Sequence, residues 1–267
     1  MQKVVFITGA SSGIGKAIGE FLHHKNYMVY GTSRNPSNVE SSIFPLVALD
    51  VRDSKSIQLA IAEVISKTGR IDVMINNAGV GITGPLEEIP LEEIKNNFDT
   101  NLFGPIEVMK AVLPQMRDQK QGLIINITSI AGYMGLPYRS VYSSSKGALE
   151  LITEALRMEV KSFGIHITNV APGDFATNIA AGRYHAPVVK GSAYETTYGN
   201  TLNEMNTHVD SGSNPNQMAE AIYKIINTSN PKIHYKVGAF MQKFSIILKR
   251  ILPDKMYEKM LMNHYKL

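Results

Sequence analysis

Residues 4–15 read VVFITGASSGIG, a wholly apolar run that breaks into a glycine-rich turn and then into a helical pattern. A strand apolar at every position must be covered on both faces, which is the signature of a parallel sheet buried between helices. The turn adds a chemical constraint. Gly9, Gly13 and Gly15 let backbone approach a bound group closely, and the N-terminus of the following helix offers free N–H groups and a partial positive charge. Ser11, Ser12 and Ile14 complete a cradle suited to a pyrophosphate. Such turns also occur as plain helix starts, but this placement after a first strand favours a dinucleotide.

The rest of the chain continues the alternation. Further strands are expected at Tyr27–Ser33, Leu46–Leu49, Ile71–Ile75, Leu123–Thr128 and Ile165–Val170, with the first strand at Val4–Thr8. Asp53 reads as an N-cap and Gly69 as a stop for a helix carrying Ile57, Ile61, Val64 and Ile65 at helical spacing. Long helices are expected at about 102–118 and 142–163. The second has two apolar stripes, Leu149/Ile152/Leu156/Val160/Phe163 and Ala148/Leu151/Ala155/Met158, so it is expected to be covered on two sides, by the sheet and by a second subunit or other parts of the chain. No repeat or linker interrupts the pattern, so residues 1–267 are expected to form one domain.

Charge separates two regions. The net charge is +4, yet residues 232–267 hold eight Lys/Arg against two acids, leaving the remainder slightly acidic. A nucleic-acid surface is therefore not expected. Cysteine is absent, which excludes disulfides and thiolate chemistry and accords with a reducing, cytoplasmic setting. No signal-peptide pattern opens the chain, and no apolar run approaches the roughly 20 residues of a membrane span.

The second strand ends Thr32-Ser33-Arg34. A site for NAD(H) would place an acid there to bind the ribose 2′-hydroxyl. An arginine instead pairs with a 2′-phosphate, so NADP(H) is favoured over NAD(H), the other reading being a solvated surface arginine. Tyr142 and Lys146, four apart, share one helix face. Free tyrosine has a pKa of ~10, and an adjacent ammonium favours its phenolate, which suits proton exchange with a carbonyl or alcohol. Ser129, just beyond the fifth strand, offers a hydroxyl to the same substrate oxygen.

Taken together, the glycine turn, Asn76-Asn77-Ala78-Gly79, Asn101 in NLFG, Ser129, Tyr142-Ser-Ser-Ser-Lys146 and Pro172-Gly173 resemble the short-chain dehydrogenase/reductase family over about residues 3–178. The resemblance implies an α/β fold, a Rossmann-type doubly wound sheet of seven parallel strands with helices on both faces, and hydride transfer with a nicotinamide cofactor. It implies that Tyr142 is the proton donor and acceptor, that Lys146 lowers its pKa and holds the nicotinamide ribose, that Ser129 orients the substrate oxygen, and that Asn101 ties a water to Lys146. By the same resemblance Asp50 and Val51 meet the adenine, and Asn77, Ala78 and Gly79 line the cofactor. Pro172, Gly173, Phe175 and Thr177 hold the carboxamide, and Ser33 and Arg34 sit where the two cofactors are told apart. Ser12 departs from relatives with a second base beside the middle glycine.

The stretches GPLEE (84–88), LPQM (113–116) and MGLPY (134–138) are similar to hydroxysteroid- and retinol-dehydrogenase-like members, as are YKVG (235–238) and ILP (251–253), more loosely. This implies an apolar carbonyl or alcohol substrate, with Met134, Leu136 and Tyr138 as pocket walls. Segment 178–213 reads as a substrate loop or lid, or a surface insertion, with His185 and His208 as surface residues. Residues 232–267 read as a basic amphipathic extension. Its open fates are to pack on the body, to cover the substrate mouth, or, less favoured, to touch a membrane. The family's usual pairing through the helices at 102–118 and 142–163 implies a homodimer. A non-catalytic NADP(H)-sensing protein is the rival from another class, and an epimerase or dehydratase of nucleotide sugars is the rival on the same fold.

Overall fold

A computed structural model describes residues 2–175, 182–209 and 212–267, the side chains of 206–209 excepted. In chain order the elements are β1 Val4–Ile7, α1 Gly13–His24, β2 Met28–Ser33, β3 Leu46–Ala48, α2 Ser54–Thr68, β4 Val73–Asn76, β5 Ile82–Thr83, α3 Leu91–Phe98, α4 Gly104–Asp118, β6 Gly122–Ile127, α5 Ser140–Glu159, β7 Ile165–Pro172, β8 Tyr184–His185, α6 Glu195–Val209, α7 Asn216–Ile226, β9 His234–Val237, α8 Phe240–Ile251 and α9 Asp254–Tyr265. Seven of the strands form one parallel sheet in the order β3-β2-β1-β4-β6-β7-β9.

The strand pleat explains the two cores. Val4 and Phe6 point to one face, where Met74 and Ile124 meet Val64 of α2, Val112 of α4 and Leu149 of α5. Val5 and Ile7 point to the other, where Val73, Ile75 and Ile125 meet Ile18 and Leu22 of α1 and Met218 and Ile222 of α7. Strand order reverses beside β1, since the chain runs outward through β2 and β3 before returning to β4. A crevice at the carboxyl ends of β1 and β4 is the geometric consequence.

The caps of α2 lie where expected: Asp53 Oδ1 accepts from the Lys55 N–H at 2.9 Å, and Gly69, at φ +74°, closes the helix through its N–H to Ile65. Three segments differ from expectation. The helix expected from 102 begins at Gly104, after a π-helical turn over Asp99–Phe103 closed by the Gly104 N–H on the Asp99 carbonyl. Segment 178–213 contains β8 and the four-turn α6 rather than an irregular loop. Tyr194, Tyr198 and Leu202 recur every four residues and pack inward around a fully buried Tyr198. Residues 234–237, placed at the start of an extension, form the seventh strand; HYKV is half-buried and polar on an edge, so its apolar signal is weak.

Of the two stripes on α5, Leu149, Ile152, Leu156 and Val160 pack into the core. Phe163, expected on the same stripe, is exposed; on the second stripe Ala148 packs against the core, whereas Leu151 and Met158 are 67% and 73% exposed and lie uncovered among the described residues.

Candidate active site

The crevice is a cleft of about 740 Å³ running from Arg34, Asp50 and Arg52 at one end to Tyr142, Lys146 and Tyr184 at the other. Its floor is the glycine turn. Gly9 (φ +65°) and Gly13 (φ +55°) take left-handed backbone, where a side chain is strained. Gly15 is present for another reason: a Cβ there would overlap Asn77 Nδ2 and the Gly9 carbonyl oxygen. Asn77 Nδ2 donates to the carbonyls of Thr8 and Gly9, both at 3.0 Å, while the Asn77 and Ala78 N–H groups donate to Thr8 Oγ1. The expected cradle residues Ser11, Ser12 and Ile14 line the cleft together with Asn77, Ala78 and Gly79. Ser12 does not cap α1 with its side chain, and no acid stands in the first turn. The helix start is thus left to an anionic ligand, and these residues fit a dinucleotide pyrophosphate.

At the far end Ser33, Arg34, Asp50 and Val51 line the cleft as expected. Arg52, which the sequence reading passed over, joins them and binds Asp50 with Nε and Nη2 at 3.3 and 3.1 Å. Burial raises the Asp50 pKa, but the hydrogen bonds and charge of Arg52, with the charge of Arg34, outweigh it and hold the carboxyl below its usual range. Arg34 is exposed and has no ion-pair partner among the described residues. Arg52 is held by Asp50 and also feels the charge of Asp99, so Arg34 is the guanidinium at this end that no carboxylate among the described residues pairs.

At the other end Tyr142 and Lys146 lie one turn apart on α5, both buried and both lining the cleft. The Tyr142 hydroxyl makes no hydrogen bond among the described residues. Lys146 Nζ donates to the Ile127 carbonyl at 3.0 Å. Burial pushes the Lys146 pKa down to about 8, against the charge of Glu150, which acts to raise it. Ser129 Oγ accepts from the Ala131 N–H at 3.1 Å, so its own proton is free to donate. Two glycines bring that turn to α5: a Cβ on Gly147 would lie 2.8 Å from the Gly132 carbonyl oxygen, and one on Gly132 would lie 3.1 Å from the Gly147 nitrogen. Neither position is distinctive in sequence.

Asn101, fully buried in the π-helical turn, exchanges two bonds with Val80: Oδ1 accepts from its N–H and Nδ2 donates to its carbonyl, each at 2.9 Å. Oδ1 of Asn101 and Nζ of Lys146 lie 3.2 and 3.3 Å from the point where a Cβ on Gly79 would sit, so both flank Gly79. π-Helical turns occur frequently at functional sites.

The remaining site residues divide. Pro172 lines the cleft, and Gly173 is tied by its N–H to the Val237 carbonyl at 2.8 Å. The Phe175 ring is turned into the apolar cluster beneath α1 and α7, which leaves only its backbone for the cofactor. Thr177 lies outside the described residues. Tyr138 (φ +59°) donates to Thr197 Oγ1 on α6 at 2.8 Å, and Leu136 bridges its cluster to the one holding Met134. Met134 faces Tyr257 and Ser245 of the C-terminal helices rather than the large cleft. His185 is half-buried in β8, not a surface residue, and the side chain of His208 lies outside the described residues.

Four groups near this end, Arg139, Tyr265, Glu150 and His234, were not among the site residues expected from the sequence. The Arg139 guanidinium lies 5.2 Å from the Tyr142 ring centroid, three residues earlier on the same helical face. The charge of Arg139 also reaches the Tyr265 hydroxyl at the end of α9, an approach across 126 positions of chain that no local pattern announces. Behind Lys146, buried Glu150 accepts from Thr128, from Tyr133 at 2.9 Å and from Asn169 at 3.0 Å, and meets His234 Nδ1 at 2.7 Å. His234 Nε2 stands 3.0 Å from Glu154, so β9 is clamped to α5 by one imidazole between two carboxylates.

The lowered pKa of Lys146 has a consequence for stability. Between about pH 8 and 10.5 the native chain binds fewer protons at this lysine than the unfolded chain, so stability rises with pH across that window. Lys146→Met removes the cost of burying the ammonium and also the bond to Ile127. At pH 7 the cofactor-free variant should be more stable than the parent by about 1–3 kcal/mol, with the gap narrowing towards pH 10. Urea denaturation at both pH values checks this, and a variant less stable at pH 7 would refute it.

The profile of the short chain dehydrogenase family matches residues 3–187. The chain is 41% identical over 257 residues to the 3-ketodihydrosphingosine reductase of Bacteroides thetaiotaomicron, covering 96% of this chain and 95% of that one. It is 32% identical over 253 residues to human retinol dehydrogenase 8, covering 86% and 80%. A short-chain dehydrogenase crystal structure from Streptomyces avermitilis superposes with a TM-score of 0.86 at 30% identity, covering 100% and 97%. With the parallel sheet, the phosphate cradle and the Tyr142–Lys146 pair in one cleft, the chain belongs to the short-chain dehydrogenase/reductase family and is an oxidoreductase of the CH–OH group.

Proposed function

We propose that the chain uses NADP(H) to interconvert a carbonyl and a secondary or primary alcohol on an apolar, lipid-like substrate. The observation that carries this reading is a Tyr142 hydroxyl with no hydrogen-bond partner among the described residues, one helical turn from the buried Lys146 ammonium at the end of a dinucleotide-sized cleft. The names of the two relatives, a 3-ketodihydrosphingosine reductase and a retinol dehydrogenase, support an apolar substrate. When bound, the cofactor supplies the hydride. Tyr142 passes its proton to the carbonyl oxygen in reduction and takes it back in oxidation. Lys146 stabilises the phenolate, and Ser129 donates a hydrogen bond to the same oxygen. Asn101, its side chain fixed by Val80, ties a water to Lys146 in this reading.

The whole chain works as a single nucleotide-binding domain, with 178–213 as its lid. Leu136 and Tyr138 form the substrate wall, Tyr138 being already tied to α6, with Met134 behind Leu136 against the C-terminal helices. Two copies pair through α4 and α5, where Leu151 and Met158 need a partner.

Oxidation of NADPH and NADH, measured side by side over ketones of increasing apolar length, tests the reaction. Turnover rising with chain length is expected; cofactor binding without turnover on any ketone would favour the sensing protein. Arg34→Asp tests the cofactor. Charge-assisted hydrogen bonds are worth ~1.5–3 kcal/mol, so the ratio of kcat/KM for NADPH over NADH should fall about 10–100-fold. An unchanged ratio would place the 2′-phosphate elsewhere.

A further inference from the structure

Helix α8 has two unlike sides. On one, Ile246 is buried, Gln242 binds Asp174 through both its amide atoms, and Ser245 faces Met134. On the other, Phe240, Met241 and Ile251 are 72%, 67% and 68% exposed, and Ile247 is also exposed. Phe240, Phe244, Ile247 and Ile251 fall at i, i+4, i+7 and i+11, a single stripe along the helix, and the two phenyl rings stack at 5.8 Å between centroids. Lys243 and Arg250 border the stripe on one flank.

We propose that α8 is an interfacial anchor, lying with this stripe in the surface of an anionic lipid bilayer and Lys243 and Arg250 at the phosphates. Charge complementarity selects that occupant. Residues 232–267 carry eight basic and two acidic side chains while the rest of the chain is slightly acidic. A second copy would bring the same positive surface to the patch and repel it, whereas anionic headgroups attract it. Helix geometry fixes how the helix lies: α8 has 12 residues, and no helix among the described residues is long and apolar enough to cross a membrane. An amphipathic helix of that size lies in the interface plane.

The anchor also touches the site. Gln242 holds Asp174, next to Gly173 in the segment expected to meet the nicotinamide, and α8 and α9 together cover Met134.

The test is co-sedimentation of the full-length protein with phosphatidylcholine vesicles, with and without phosphatidylserine, at low and high salt. The parent should partition to serine-containing vesicles at least tenfold better than to neutral ones, and salt should weaken the binding. The triple variant Phe240→Ser/Ile247→Ser/Ile251→Ser should lose it, and reversing Lys243 or Arg250 to Glu should lower it about fivefold or more. Leu151→Glu, on the other exposed face, should leave it intact. Sedimentation needs no turnover, so an inactive protein would sink the functional reading and not this one. Turnover of a short soluble ketone, retained in the triple variant, shows that it folds. Absence of vesicle binding by the parent, equal binding by parent and triple variant, or a halved solution mass in the triple variant would each overturn the proposal, the last by showing that α8 joins two copies.

Discussion

Tyr142→Phe is expected to lower turnover by ~10²–10⁴-fold, the range for loss of a positioned general acid, while NADPH binding stays within about twofold. The substitution is clean for structural reasons. The hydroxyl has no hydrogen-bond partner among the described residues, so its removal orphans nothing. The ring keeps its packing against Ile82, Ala131 and Val141. Arg139 keeps its place over the ring, and Lys146 keeps its bond to Ile127. Stability should therefore change by less than about 0.5 kcal/mol. Ketone-dependent NADPH oxidation, nucleotide titration by fluorescence and thermal denaturation separate the three quantities. Parent-like turnover would remove Tyr142 from the proton-transfer role; lost turnover with lost nucleotide binding would show that the change is structural.

Gly15→Ala should have the largest effect on cofactor binding. Its methyl would occupy the space of Asn77 Nδ2, displacing an amide that donates to two carbonyls of the turn. Backbone lies on the other side, at Gly9, so the conflict is not relieved by a side chain swinging away. Loss of those bonds and the forced shift should cost about 2–4 kcal/mol of stability. NADPH affinity should fall at least 100-fold, since the same turn forms the phosphate cradle. Gly69→Ala is the control: at φ +74° with open space around it, it should cost only ~1 kcal/mol of backbone strain and leave nucleotide affinity unchanged. Nucleotide titration and urea denaturation of the pair decide the matter. Equal affinities in the two variants would mean that the turn yields without consequence.

Much of this was legible from residue order because the signals are local. The all-apolar VVFI strand, the spaced glycines and the four-residue step from Tyr142 to Lys146 each act within a few positions. The edge strand β9 was not legible, because a half-buried edge shows little alternation and its register comes from β7. Helix α6 was obscured by its polar residues, and only Tyr198 and Leu202, four apart, carried the inward face.

The residues themselves settle the chemistry available here: a backbone cradle for an anion, a guanidinium at the end of β2, and a phenol one helical turn from an ammonium. These follow from spacing along one helix or one turn, distances that covalent geometry sets. Packing alone settles the rest. Ser129 reaches α5 because Gly132 and Gly147 let two backbones meet, Tyr265 from the far end of the chain comes under the charge of Arg139, and α8 turns one apolar side outward while holding Asp174 with its other side. Such contacts join residues from 15 to more than 120 positions apart, and which of them meet depends on how the layers stack rather than on any local pattern.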